Sequence, residues 1–233
     1  RINDLRDRYM EIYHLLNRGV DRRTIFLDVQ DKKRFVHGLE IFNDTAPANN
    51  TSYSIANIAA SNDLRGRYGN KEDRQLVDIH AWVLMGNHYH LLVSERLENG
   101  VTKFITKLNV GYAKYFNEKY KRSGTLFQGR TKKILIAHQA QYLHILHYIH
   151  LNPLDMSPTT REWRLRRIQN AKKAISHLDR YKWSSYTDYC GKNNFPSLLT
   201  KELFAETYPD YKKELSAYLA DIEHLPPELT LEG

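Results

Sequence analysis

Val77-Asp78-Ile79-His80-Ala81-Trp82-Val83-Leu84-Met85-Gly86-Asn87-His88-Tyr89-His90-Leu91-Leu92-Val93-Ser94 is strongly apolar and carries one polar break, at Gly86-Asn87. Two apolar runs of strand length on either side of a two-residue turn signal predict adjacent antiparallel strands joined by a tight turn. Their apolar continuity places both strands centrally in a sheet. Side chains alternate faces along a strand, so His88 and His90 point the same way while Tyr89 points to the other face.

The flanking segments supply the rest of the sheet. Residues 11–18, rich in apolar and aromatic side chains, read as a strand that ends at Gly19. From Asp28 to Asn43, apolar residues fall at Phe35, Val36, Leu39 and Phe42, a helical spacing. Residues 44–75 turn to Ala, Asn, Ser, Thr and Gly with charges, and read as a variable surface insertion in which Tyr53, Ile55 and Ile58 could form one short helix. Asn99 to Lys119 repeats apolar residues at Val101, Phe104, Ile105, Leu108, Tyr112 and Tyr115, a helix with one buried stripe that ends at Ser123-Gly124. Thr131 to Ala137 is a short strand. Gln139 to Asn152 is a helix stopped by Pro153, which disfavours helical geometry in the residue before it.

The order β-α-β-β-α-β-α predicts an α+β fold: a ferredoxin-like split βαβ antiparallel sheet with helices on one face. The last helix is an addition to that plan. Residues 1–155 form the main domain, and residues 156–233 a C-terminal helical extension. Arg161 to Lys182 holds eight basic residues against Glu162 and Asp179, whereas Lys201 to Gly233 holds three basic against eight acidic. The extension therefore reads as a basic helix followed by an acidic helical end.

With 233 residues and 41% apolar content the chain can bury one substantial core. Its single cysteine, Cys190, excludes an intramolecular disulfide. No charged-then-apolar leader opens the sequence, and no run approaches the ~20 apolar residues that span a bilayer. The expectation is a soluble protein of a reducing cytoplasm without a membrane partner. A formal net charge of +8 favours a polyanionic partner. Lys119 to Lys133 carries six basic residues and no acidic one, with Tyr120 and Phe127 interleaved. Cations there can hold phosphates while bases stack on the aromatic rings, the alternative being a solvated basic loop.

Two imidazoles on one sheet face can share a metal. A pair of satisfied core histidines is the ordinary alternative in a chain with 11 histidines. In the last helix Tyr148 and Asn152 are four residues apart and share a face, with His144 one turn before them. A phenol, an amide and imidazoles then lie close together.

The residues that carry this chemistry resemble a known family. His88-Tyr89-His90 after an apolar strand, and Tyr148-Ile149-His150-Leu151-Asn152-Pro153, look like the signatures of single-tyrosine HUH transposases of the IS200-like group. Within that group the likeness is nearest to the REP-associated tyrosine transposases. It extends to Tyr13-His14-Leu15-Leu16-Asn17-Arg18-Gly19, to Gly124-Thr125-Leu126-Phe127-Gln128-Gly129-Arg130 and to Trp183-Ser184-Ser185-Tyr186, and so covers most of residues 9–190.

The resemblance implies that Tyr148 attacks a phosphodiester to give a 5′-phosphotyrosine and a free 3′-hydroxyl, with Tyr142 as the alternative nucleophile. It implies a divalent metal held by His88, His90 and Asn152, with His144 as the alternative third ligand. Imidazoles with an amide oxygen suit Mg²⁺ or Mn²⁺ better than zinc, whose structural sites prefer thiolates. The implied partner is single-stranded DNA bearing hairpin, REP-like elements, contacted by Arg18, Lys121, Arg122, Arg130, Lys132 and Lys133. The protein would act as a monomer or homodimer. Two other readings stay open: a DNA-binding regulator that keeps the fold without turnover, and a relaxase or replication initiator of the broader HUH group.

Overall fold

In the computed structural model the chain is described over residues 11–47 and 74–224. Most of the expected insertion at 44–75, with its helix around Tyr53, Ile55 and Ile58, falls outside the described residues, as does the end of the acidic tail.

Seven elements follow one another in the expected order: β1 (Ile12–Arg18), α1 (Val29–Ile41), β2 (Val77–Leu84), β3 (His88–Glu95), α2 (Gly100–Lys119), β4 (Lys132–Leu135) and α3 (Gln139–Leu151). The strands form one antiparallel sheet in the order β2-β3-β1-β4. This is the ferredoxin-like arrangement, in which each βαβ half contributes one central and one edge strand. α1 starts where the Asp28 carboxylate accepts a hydrogen bond from the Asp31 amide and the Asp31 carboxylate accepts one from the Asp28 amide, a reciprocal cap that satisfies two otherwise orphaned donors.

Each face of the sheet has its own core. Tyr13, Leu15, Tyr89, Leu91 and Val93 pack against α1 and α2 through Phe35, Leu39, Phe104, Leu108 and Tyr112. At Gly111 an added Cβ would lie 2.2 Å from the Phe42 ring, so the glycine lets α2 close onto α1. Ile12, Ala81, Val83 and Leu92 point the other way, against α3 through Ile145, Leu146 and Ile149. The register of β2 against β3 shifts between Ile79 and Ala81, and that bulge lets Ile79 and Trp82 share one core while Ala81 and Val83 enter the other. The two helices of the split βαβ unit lie on one face as expected, and α3 with the extension covers the second.

The expectation that both strands of the 77–94 hairpin are central is corrected: β3 is internal, but β2 is the sheet edge. β2 reads as a central strand because both of its faces are packed and its free edge is covered. Leu84 donates to the Trp183 carbonyl at 2.9 Å, Ser185 donates to the Trp82 carbonyl at 3.0 Å, and the Ser185 hydroxyl accepts from the Trp82 amide. The extension thus supplies the hydrogen bonds a fifth strand would make.

A 3₁₀ turn at Asn152–Met156 leads from α3 into the extension, which holds a second 3₁₀ turn at Arg161–Leu165 and then α4 (Ala171–Arg180), α5 (Tyr186–Tyr189), α6 (Glu202–Ala205) and α7 (Tyr211–Ala220). The basic run is therefore not one helix, as its charge pattern suggested. Arg166 adopts a left-handed conformation (φ 60°), which breaks the helix, and Asn170 caps a new one through the Lys173 amide. Trp163, Leu178, Phe204, Tyr211 and Leu215 join the second core. Among the described residues no helix is long and apolar enough to cross a membrane.

Candidate functional site

The register of β1 against β3 pairs Leu16 with His90 and Arg18 with His88, and His14 with Leu92. Paired residues share a face, so His14, His88 and His90 all emerge on the face that α3 covers. The His88 and His90 ring centroids are 5.1 Å apart. His90 Nδ1 lies 2.9 Å from His14 Nε2, and the two rings stack. His88 Nδ1 lies 2.6 Å from Asn87 Oδ1, an acceptor, so that nitrogen carries the proton.

α3 crosses this face and sets Tyr148 over the imidazoles. Its ring meets His14 and His90 edge-on at centroid distances of 5.7 and 5.8 Å. One turn later, buried Asn152 uses its two ends differently. Its Nδ2 donates to the Tyr148 carbonyl at 2.8 Å, which closes the C-terminus of the helix, while its Oδ1 accepts from Arg164 Nη2 at 2.8 Å. Helix cap and candidate ligand are therefore the same residue. Arg164 Nη1 donates to the Tyr148 hydroxyl at 3.1 Å, and its Nε and Nη2 grip the Asp155 carboxylate at 2.9–3.2 Å.

Beside these groups opens a polar cleft of about 310 Å³ lined by Arg18, Arg22, Asn87, His88, Asp155 and Arg164. Arg164 is paired with the Asp155 carboxylate, so Arg18 and Arg22 are the groups that make it an anion-binding mouth. Burial pulls the Arg164 pKa down, but its hydrogen bonds and charge contacts with Asp155 and Tyr148 outweigh this and hold it above the ordinary value. Burial pushes His90 well below the usual imidazole range, and the neighbouring His14, His88, Arg164 and Arg18 add to the effect. His90 is thus neutral at physiological pH, the form that ligates metals.

The donor set fits a divalent ion. His90 Nε2 is buried without a hydrogen-bond partner and its other nitrogen is engaged by His14; with the proton on Nδ1, Nε2 holds a ring lone pair that a cation could take. Among the described residues no three His, Cys, Asp or Glu side chains gather as a metal site, so a third protein donor would have to be of another kind, such as the Asn152 amide oxygen. That oxygen has two lone pairs and can accept from Arg164 and still face a cation.

The other expected residues fall as follows. Tyr142 is buried, stacks on Phe204 and donates to the Leu203 carbonyl at 2.5 Å, a core contact away from the imidazoles. The His144 ring lies 6.0 Å from that of Tyr218 in α7. Arg18 lines the cleft. Lys132, opposite Leu16, shares the histidine face, whereas Lys133, opposite Leu15, points to the other face and covers the Tyr13 ring at 3.8 Å. Arg122 is tied to Asn117 and to the Thr125 carbonyl, and Lys121 and Arg130 are exposed. The expected aromatic stacking surface is corrected. The Tyr120 hydroxyl donates to Asp31, and Phe127 packs against Tyr89 and Tyr112 in the core, because both rings complete the α1–α2 core rather than face solvent.

Sequence reasoning missed His14, Asp155 and Arg164. His14 has the right strand parity, but its place beside His90 depends on register. Arg164 lies 16 residues after Tyr148 inside a basic run that carries no local signal of a site.

Comparison with known proteins gives the following. The family described as "Transposase IS200 like" matches residues 9–152. No curated protein matches the chain. Among solved structures, that of a REP-associated tyrosine transposase bound to a REP hairpin is 14% identical, covers 84% of this chain and 88% of its own, and superposes with a TM-score of 0.46.

Proposed function

The chain belongs to the IS200-like transposase family, and from that premise we propose that it cleaves and rejoins hairpin-bearing single-stranded DNA through a covalent bond to Tyr148, aided by a divalent metal. The observation that carries this reading is the meeting of Tyr148 with His90 and His14 beside a cleft lined by His88, Arg18, Arg22 and Arg164. The Tyr148 oxygen bonds to phosphorus while the bond from phosphorus to the 3′ oxygen breaks. The phenolic proton ends on that 3′ oxygen, so the products are a 5′-phosphotyrosine and a 3′-hydroxyl. One phosphodiester replaces another, so no nucleotide cofactor is required, and the reverse reaction rejoins strands.

His88, His90 and Asn152 would hold Mg²⁺ or Mn²⁺. When bound, such an ion polarises the phosphate and neutralises charge that develops on it. The chain's own groups do the rest. A phenol of pKa ~10 is a weak nucleophile at neutral pH, and the Arg164 hydrogen bond favours negative charge on its oxygen. Arg18 and Arg22 flank the mouth through which a phosphate would enter. Lys132 extends the positive surface from the same face of the sheet, and exposed Arg130 lies two residues before it.

The test is incubation with Mn²⁺ and a hairpin-bearing single strand, followed by nuclease digestion and peptide mass spectrometry. A 5′-linked fragment on Tyr148, absent from Tyr148→Phe, is expected. An adduct on Tyr142, or cleavage by the Phe variant, overturns the reading.

A further inference from the structure

Arg164 lies beyond residues 9–152, the part of the chain that the transposase family matches, yet its side chain reaches the centre of the site. Its fork touches three groups at once: the Tyr148 hydroxyl at 3.1 Å, the Asn152 amide oxygen at 2.8 Å and both oxygens of Asp155. The guanidinium also lies 4.5 Å from the Trp163 ring centroid and 5.3 Å from that of Tyr148. Trp163 is itself locked, buried in the second core and donating from Nε1 to Asp155 Oδ1 at 2.6 Å.

We propose that Arg164 is a positioning residue contributed by the C-terminal extension, which fixes the Tyr148 oxygen and the Asn152 oxygen relative to one another.

A phenolic hydroxyl can donate in either of two in-plane directions and also accept, and a side chain at the end of a helix retains torsional freedom unless something holds its tip. Tyr148 lies in the last turn of α3 and Asn152 caps its C-terminus, where helices fray. A planar guanidinium with five fixed donors can bridge two acceptors and a carboxylate simultaneously, which a lysine ammonium cannot do with the same angular constraint. Asp155, in the 3₁₀ turn directly after α3, anchors the fork, so the positions of phenol, amide and anchor are coupled through one rigid group. The core formed by Trp163 with the extension then transmits the rigidity of the second sheet face to the end of α3.

This inference rests on the reading of Tyr148 as nucleophile, and the experiment separates the two. Wild-type protein must first form the Tyr148 adduct; if it does not, both the proposed function and this inference fall. Given the wild-type adduct, single-turnover cleavage and DNA affinity are measured for Arg164→Ala and Arg164→Lys, with thermal unfolding as a check on folding. The expected result for both is a cleavage rate about 100-fold lower, the scale of a misplaced reacting group. DNA affinity should be unchanged, and millimolar guanidinium should recover part of the rate of Arg164→Ala but not of Arg164→Lys, where the lysine side chain fills the space. If Arg164→Ala does not fold, Arg164→Lys and Asp155→Asn, which retain most of the side-chain volume, carry the test with the same expected loss of rate at constant affinity. A rate equal to or above wild type overturns the proposal, the faster case marking Arg164 as a latch. So does a loss confined to DNA affinity, which would mark it as a phosphate contact.

Discussion

His90 Nδ1 lies 2.9 Å from His14 Nε2, with the two rings nearly parallel at 15°, although the residues are 76 positions apart in the chain. The pair is diagonal across the β1–β3 ladder, since His14 is opposite Leu92 and His90 opposite Leu16. An imidazole is oriented by what its second nitrogen meets: where His14 Nε2 accepts from His90 Nδ1, His90 Nε2 is left with the lone pair that a cation would need.

Removing that orientation should weaken metal binding without unfolding the sheet. His14→Ala is expected to lower Mn²⁺ affinity, measured calorimetrically on DNA-free protein, by about 10- to 100-fold. His14→Gln can still present an acceptor and should retain part of it. His88→Ala and His90→Ala should each abolish metal-dependent cleavage with the fold retained. Wild-type Mn²⁺ affinity in His14→Ala would show that the stacked pair is core packing only.

The two tyrosines of α3 should separate cleanly. Tyr142→Phe loses a buried hydrogen bond to the Leu203 carbonyl and should cost about 1 kcal/mol of stability while still forming the covalent DNA adduct. Tyr148→Phe should behave in the opposite way, with the ring contacts to His14 and His90 kept and the adduct lost. Urea denaturation and adduct yield, measured on both variants, decide the matter.

The basic stretch 119–133 should divide into structural and DNA-facing charges. Asp31 is fully buried, and its carboxylate accepts from the amides of Leu27 and Asp28, from Tyr115 and Tyr120, and from Lys119 at 2.7 Å. Lys119→Ala would withdraw the only formal positive charge among these donors and is expected to cost roughly 2 to 3 kcal/mol, at or just below the range for a broken buried pair because Lys119 is partly exposed. Arg130→Ala and Lys132→Ala should leave stability unchanged. Each should instead reduce the dependence of DNA binding on salt by about one counterion. An unchanged salt slope in both would make them plain solvated surface.

Acid should destabilise the extension's contact with α3. Burial pushes His147 down to about 3 and His150 well below the usual range, and both rings meet the Tyr211 hydroxyl. Because the folded values are depressed, the unfolded chain alone takes up protons as pH falls through about 6.5, so stability is complete above that value and declines below it. Each imidazole contributes a slope of up to about 1.4 kcal/mol per pH unit. Between about pH 7.5 and about pH 5.5, His147 and His150 together should account for roughly 2 to 3 kcal/mol of the fall in stability measured by chemical denaturation, the other buried imidazoles adding to it, and the slope should be shallower in His147→Phe. A flat profile for the wild type would mean that these rings are protonated in the fold.

The order of elements from β1 to α3 was legible because each has a periodicity that survives any environment: alternation for strands, three- and four-residue spacing for helices. The central position assigned to β2 was not, because an edge strand covered by residues 183–185 buries the same side chains as an internal one. The aromatic residues Tyr120 and Phe127 misled for a related reason: a ring among cations has the same composition whether it faces DNA or closes a core, and only packing distinguishes them.

At the candidate site, local spacing alone determined that His88 and His90 share a strand face and that Tyr148 and Asn152 share a helix face, because both relations depend on backbone geometry over a few residues. Only the tertiary structure decided that these two faces meet, that His14 stacks on His90 through β-sheet register, and that Arg164 from the extension joins Tyr148 to Asn152. Those contacts bridge separations of 12 to 76 residues, and contacts over such distances are set by which apolar faces bury against one another rather than by the residues around each side chain.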